Sequence, residues 1–120
     1  MDSADVVQAA QRQLCGRFRV PFEPPAKDSV LGLASTVEAG LLPLNGMRIP
    51  PDGDGCGWFV WGGEVLSTAG DFFGKIHVAH LAEVCPEILR YLALPPGWRF
   101  LMAPKYEDIW FDSSLLKPLK

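Results

Sequence analysis

No run of this sequence stays apolar long enough to cross a membrane. Its hydrophobic stretches are broken by Gly, Pro or charge well short of the roughly 20 residues that a span needs. Basic charge is in short supply, with 11 Lys and Arg against 14 Asp and Glu and a net charge of -3. That balance argues against a nucleic-acid partner, whose phosphates call for a Lys/Arg patch. It is compatible with a basic protein partner. Cysteines are few, odd in number and without paired spacing: Cys15, Cys56 and Cys85. The chain starts Met-Asp-Ser-Ala-Asp, acidic where a secretory leader would be basic. Reduced thiols and a cytoplasmic location are therefore expected.

Catalytic signatures are missing too. The glycine-rich GDGCG (53–57 with its flanking Asp52) and WGGE (61–64) lack the Lys-Ser/Thr of a phosphate-binding loop and the spacing of a dinucleotide fingerprint, so they read as turns. His77 and His80, taken with Asp71 or Cys85, match no strong metal-ligand spacing. Cys56 is the thiol expected to be exposed, but nothing near it in sequence reads as its base. Neither an enzyme, a metal nor a cofactor is expected.

What is present is a chain of 120 residues, 48% hydrophobic and 21% charged, which suits one globular domain with a real core. Residues 2–16 have helical spacing through Val7, Ala10 and Leu14, with Asp2, Ser3 and Asp5 suited to the N-terminus and Gly16 to the C-terminal stop. Residues 20–28 hold three prolines and read as an extended connector. A strand is expected over 29–37, a long loop over 41–57, and a strand over 57–64. In that last strand Trp58 and Val60 point one way, Phe59 and Trp61 the other. One of the two tryptophans is expected in the core and the other partly exposed. Residues 67–75 read as a second loop. Helical spacing returns through Leu81, Val84, Cys85, Ile88, Leu89 and Leu92, with a break at Cys85–Pro86. Strands over 98–103 and 106–112 form a hairpin around Pro104–Lys105, and the tail after it suits a short turn. The architecture predicted is α+β: one domain over 1–120, with an N-terminal helix (1–19) and a roughly four-stranded, mostly antiparallel sheet carrying helices on one face.

The candidate site is a set of acids and aromatics in loops and on the last hairpin: Asp52, Asp54, Glu64, Asp71, Phe72, Tyr106, Asp108, Trp110 and Asp112. Alternation places Tyr106, Asp108, Trp110 and Asp112 on one face of their strand, while Ile109 and Phe111 look like core. Aromatic anchors among charges are the composition of a protein-binding surface. Taken singly, each acid also reads as ordinary solvated surface.

PLNGMRIPP, GWFVWGGE, DFFGKIHVAHL and the long CPEILRYLALPPGWRFLMAPKYEDIWFDSSLL segment together resemble the immunity protein 33 domain of bacterial polymorphic toxin systems, over about residues 20–116. LPPGWRF followed by YEDIWFD is the most specific part. The resemblance implies a protein that binds and neutralises a cognate toxin, with no catalysis and no cofactor. It assigns no contact residues. The competing readings are a small metal- or ligand-binding domain, or an enzyme, built on His77 and His80, and a binding module with no toxin involved. Monomer and homodimer are both compatible with the sequence.

Overall fold

The aromatic strand is central to a wider sheet than the sequence pattern predicts. The computed structural model describes residues 3–67 and 69–117. Among them the elements run α1 (Ser3–Phe18), β1 (Val30–Ala34), α2 (Ser35–Glu38), β2 (Leu44–Arg48), β3 (Gly55–Gly62), β4 (Phe73–His77), α3 (Leu81–Val84), β5 (Trp98–Ala103) and β6 (Tyr106–Phe111). Single 3-10 segments lie at Val78–His80, Pro86–Tyr91 and Ser113–Leu116. The strands form one sheet in the order β4-β1-β3-β2-β5-β6. Only β1–β3 is parallel; the other neighbours are antiparallel. The fold class is α+β as expected, with six strands in place of four.

The two additional strands come from segments expected to be loops. Leu44–Arg48 pairs with both β3 and β5 despite the Asn-Gly at its centre. Gly46 is needed there because the Phe100 ring occupies the space a Cβ would take. Phe73–His77 pairs with β1 as an edge strand. The strand expected over 29–37 ends at Ala34, and Val37 packs into the core from the short α2.

Helix α1 runs past Gly16 to Phe18 and is closed by Arg19 at φ 57°. The Val20 N–H donates to the Cys15 carbonyl (3.0 Å) and the Arg19 N–H to that of Gly16 (3.2 Å). This is a Schellman cap with a non-glycine residue in the left-handed position. Of the proposed N-terminal caps, Asp2 lies outside the described residues. The break at Cys85–Pro86 is present: α3 ends before it and a 3-10 segment starts at Pro86.

Helix α1 and the 86–91 segment cover one face of the sheet. Leu14, Cys15, Leu31, Leu33, Trp58, Val60, Leu81, Ile88, Tyr91, Leu92 and Phe100 are buried there. Tyr91 stacks on Phe100 with ring centroids 4.2 Å apart. Cys56 is buried with them, contrary to expectation, because the strand begins at Gly55 and turns its even-numbered side chains inward. Phe111, read from sequence as core, is half exposed and packs over Gly97 and Trp98 at the margin. Val84 is also exposed, since α3 is too short to continue the apolar stripe inward.

At the centre of this layer lies a charge. Arg48, on the covered face of β2, is 4% exposed. Its Nε donates to the Cys56 carbonyl (3.1 Å), and Nη1 faces the carbonyls of Glu23 (2.7 Å), Leu94 (2.8 Å) and Leu92 (3.3 Å). Trp58 Nε1 also donates to the Leu92 carbonyl (2.9 Å). Among the described residues no carboxylate pairs with Arg48. Backbone carbonyls from three separate segments satisfy it instead, which is what makes a buried charge tolerable. Burial still pulls its pKa down from the usual arginine value.

Candidate partner-binding surface

The strand pairings define a second face, which the helices leave uncovered. Its residues include Phe73, Lys75 and His77 on β4, Gly32 on β1, Phe59 and Trp61 on β3, Asn45 and Met47 on β2, Arg99 and Leu101 on β5, and Tyr106, Asp108 and Trp110 on β6. Trp61 is nevertheless only 4% exposed, and Trp58 1%. The expectation of one buried and one exposed tryptophan fails because the outer face makes an aromatic cluster of its own. Phe73 meets Phe59 at 5.2 Å, Trp61 at 6.3 Å and Phe72 at 4.9 Å between centroids, each edge-on. The Phe59 ring sits where Gly32 has no side chain. Aromatic residues on both faces of β3 thus feed two clusters, one under the helices and one without them.

The predicted site residues fall into three places. On the hairpin, Tyr106, Asp108 and Trp110 line the uncovered face, and Tyr106 is 57% exposed. Arg99, opposite Trp110, lies with its guanidinium 5.4 Å from the indole centroid and bonds Asp112 (Nη1–Oδ2 3.1 Å). Asp112 also caps the closing 3-10 turn, accepting from the Ser114 hydroxyl (2.6 Å) and N–H (3.0 Å). The Ser114 hydroxyl first, then Arg99, hold its carboxyl below the usual range. Arg99, Trp110 and Asp112 therefore form one ordered group.

Glu64, Asp71 and Phe72 belong to the loop between β3 and β4, at the end of the sheet where α2 also lies. Glu64 and Asp71 are exposed, while Phe72 is half-buried in the outer aromatic cluster. Asp52 and Asp54 lie exposed in a tight turn at the opposite end, closed by paired bonds between Asp52 and Gly55 (3.1 and 2.9 Å).

Three features escaped the sequence pattern. The first is a group of exposed aliphatics, Leu41, Leu42, Val65 and Leu66, at the α2 end of the sheet. The second is a charge division. Residues 28–74 carry six acids (Asp28, Glu38, Asp52, Asp54, Glu64, Asp71) and a single cation, the buried Arg48, whereas the rest of the chain carries eight acids and ten Lys and Arg. The third is Glu107, on the covered side of β6, which accepts from Tyr91 Oη (2.6 Å) and pairs with Arg90 and, at 3.6 Å, Arg17. Burial pushes the Glu107 carboxyl up, but Tyr91 and the arginines outweigh it and the net shift is downward. Burial and the Glu107 carboxylate push Tyr91 up to about 12.

His77 and His80 are exposed, with rings edge-on at 5.8 Å. Among the described residues no group of three or more His, Cys, Asp or Glu is placed to hold a metal. Cys15 and Cys85 are buried, and burial raises both thiols, the opposite of a reactive setting. A groove of about 950 Å³ runs between α1, the proline connector and the 78–92 segment, walled by Val7, Phe22, Val78, Ala82 and Leu89. No described helix is long and apolar enough to cross a membrane.

No curated protein and no solved structure matches this chain. A family model does, that of the Imm33-like domain, and it matches residues 10–112, from within α1 to the end of the β6 hairpin. The match spans the whole sheet, both of its faces and the ordered Arg99–Trp110–Asp112 group, and on that basis the chain belongs to the Imm33-like domain family.

Proposed function

We propose that this protein binds a cognate bacterial toxin and neutralises it by protein–protein contact, without chemistry of its own and without a cofactor. The observation that carries the reading is membership of an immunity-type family across residues 10–112. The molecule's surface supports it: an uncovered sheet face with ordered aromatic and charged side chains is what a specific protein interface is made of. The proposed contact residues are Tyr106, Asp108, Trp110 and Asp112 on the hairpin, Glu64, Asp71 and Phe72 in the β3–β4 loop, and Asp52 and Asp54 in the turn before β3. The acids among them suit a basic toxin, and such a partner would be met in the cytoplasm.

The test is a pulldown from the native strain, co-expression with the toxin domain recovered, and calorimetry with the purified pair. Survival of the cells and a 1:1 complex of nanomolar affinity are expected. Cell death with no heat of binding would overturn the reading. The groove beside α1 favours a second reading, a ligand-binding module. A small molecule that co-purifies stoichiometrically, in the absence of toxin binding, would establish that one.

A further inference from the structure

Leu41, Leu42, Val65 and Leu66 are four large aliphatic side chains exposed together at one end of the sheet, with Val65 75% and Leu42 51% accessible. They come from two loops, 39–43 and 63–66, and the loops are held against each other. Asn45 Nδ2 donates to the carbonyls of Gly63 (2.9 Å) and Pro43 (3.2 Å), and the Gly63 N–H donates to the Pro43 carbonyl (2.9 Å). Thr36 adds a second clamp: its Oγ1 accepts from the Gly62 N–H (2.9 Å) and its carbonyl from the Leu41 N–H (3.1 Å). The Leu41 side chain lies directly over Gly63. An apolar group that a loop exposes without a fixed frame is ordinary; one fixed to the ends of two strands is a presented surface.

The charges around it have one sign. Glu38 precedes the first loop, Glu64 sits between Gly63 and Val65, and Asp71 lies in the same connection to β4. There is no Lys, Arg or His between Asp28 and Met47, nor between Ile49 and Gly74. The cations that bound these segments are Lys27, which precedes β1 at the opposite end of the sheet, the buried Arg48, and Lys75, whose side chain lies on the uncovered face. Lys105, at the hairpin tip, is separated from β3 by β2 and β5.

We infer that this aliphatic knob is the anchor of the toxin interface, and that it fits an apolar socket rimmed by Lys and Arg on the toxin. The inference rests on the toxin-binding reading and moves the centre of contact to residues which the sequence pattern left unassigned. Aliphatics at the middle exclude water, the acidic ring sets orientation and approach rate, and the clamped loops lose little freedom on binding.

The experiment titrates the toxin domain recovered by the pulldown with wild-type protein, with Leu42→Asp/Val65→Asp, and with Tyr106→Ala/Trp110→Ala. Because Leu42 and Val65 are exposed, the double variant is expected to melt with the wild type, and Val65→Ser alone serves if it does not. Loss of at least about a hundredfold in affinity for the Asp variant supports the inference. So does a Glu38→Lys/Glu64→Lys variant that associates at least tenfold more slowly at low salt. Full affinity in the Asp variant, with the wild type binding, overturns the inference and leaves the toxin-binding reading intact. A wild-type dimer that the Asp variant converts to monomer also overturns it, by making the knob a seam between two copies. A wild type that neither binds nor protects overturns the reading and the inference together.

Discussion

Arg48 and the aliphatic knob invert the usual placement of residues in opposite senses. One puts a guanidinium inside the core, the other puts four aliphatics in water. The difference lies in what surrounds them. Carbonyls of Glu23, Cys56, Leu92 and Leu94 converge on Arg48, so its exceptional position is complete within the molecule. Among the described residues nothing covers Val65, which is 75% exposed. A buried charge held by backbone carbonyls speaks of architecture, and an exposed apolar group on a fixed frame speaks of a partner.

That contrast is open to direct attack. Arg48→Ala leaves carbonyls from three segments unsatisfied in the core and is expected to cost about 3–5 kcal/mol, a fall in Tm of more than about 10 °C by calorimetry. A fall of only a degree or two would show that the node is dispensable. Gly46→Ala, which drives a methyl into the Phe100 ring, is expected to cost about 1–3 kcal/mol in urea unfolding. A neutral result would mean that Phe100 repacks freely. At the knob, Val65→Ser should change stability by less than about 0.5 kcal/mol, and a larger loss would make Val65 part of the fold after all.

The Tyr91–Glu107 pair sharpens the comparison through pH. Tyr91 is raised to about 12, so the folded state keeps a proton that the unfolded chain gives up near pH 10. Its contribution is whole below about pH 10 and is lost as pH rises toward 12. Glu107 is lowered, so its contribution is whole above the usual carboxylate range and is lost as pH falls below it. In Tyr91→Phe the alkaline loss of Tm should be smaller than in the wild type. Parallel Tm curves for the two proteins from pH 9 to 12 would refute the assignment.

The sequence was most readable where local signals and tertiary packing agree. The β5–β6 hairpin, the 3.6-residue spacing of α1 and the break before Pro86 each depend on residues adjacent in the chain. β2 was hidden because Leu44-Asn-Gly-Met-Arg carries a turn signal and a charge, and only Phe100 and the distant carbonyls explain why glycine and arginine belong in a central strand. β4 was hidden because an edge strand with Gly74, Lys75 and His77 exposed shows no apolar alternation. Arg19 escaped as a helix stop because a left-handed arginine has no sequence signature apart from the cap it closes. At the candidate site, alternation correctly put Tyr106, Asp108 and Trp110 on one face, but it had no access to Arg99 across the strand pair. The knob was invisible for a related reason: leucine pairs among glycine and proline have no periodicity to say which way they face.

The division of charge has a consequence for how the whole molecule moves. Residues 28–74 carry net -5 and the remainder net +2 by formal count, and the acidic part supplies β1, β3 and β2, the middle of the sheet, with β4 at one edge and the β5–β6 hairpin at the other. The acids stand at both ends of those middle strands, Asp28, Asp52 and Asp54 at one and Glu38, Glu64 and Asp71 at the other. In the field of a basic surface it would turn before it touched, leading with one of those acidic ends. An anion-exchange resin, which samples the approaching side rather than the average, should therefore retain it as though it carried more negative charge than its net -3.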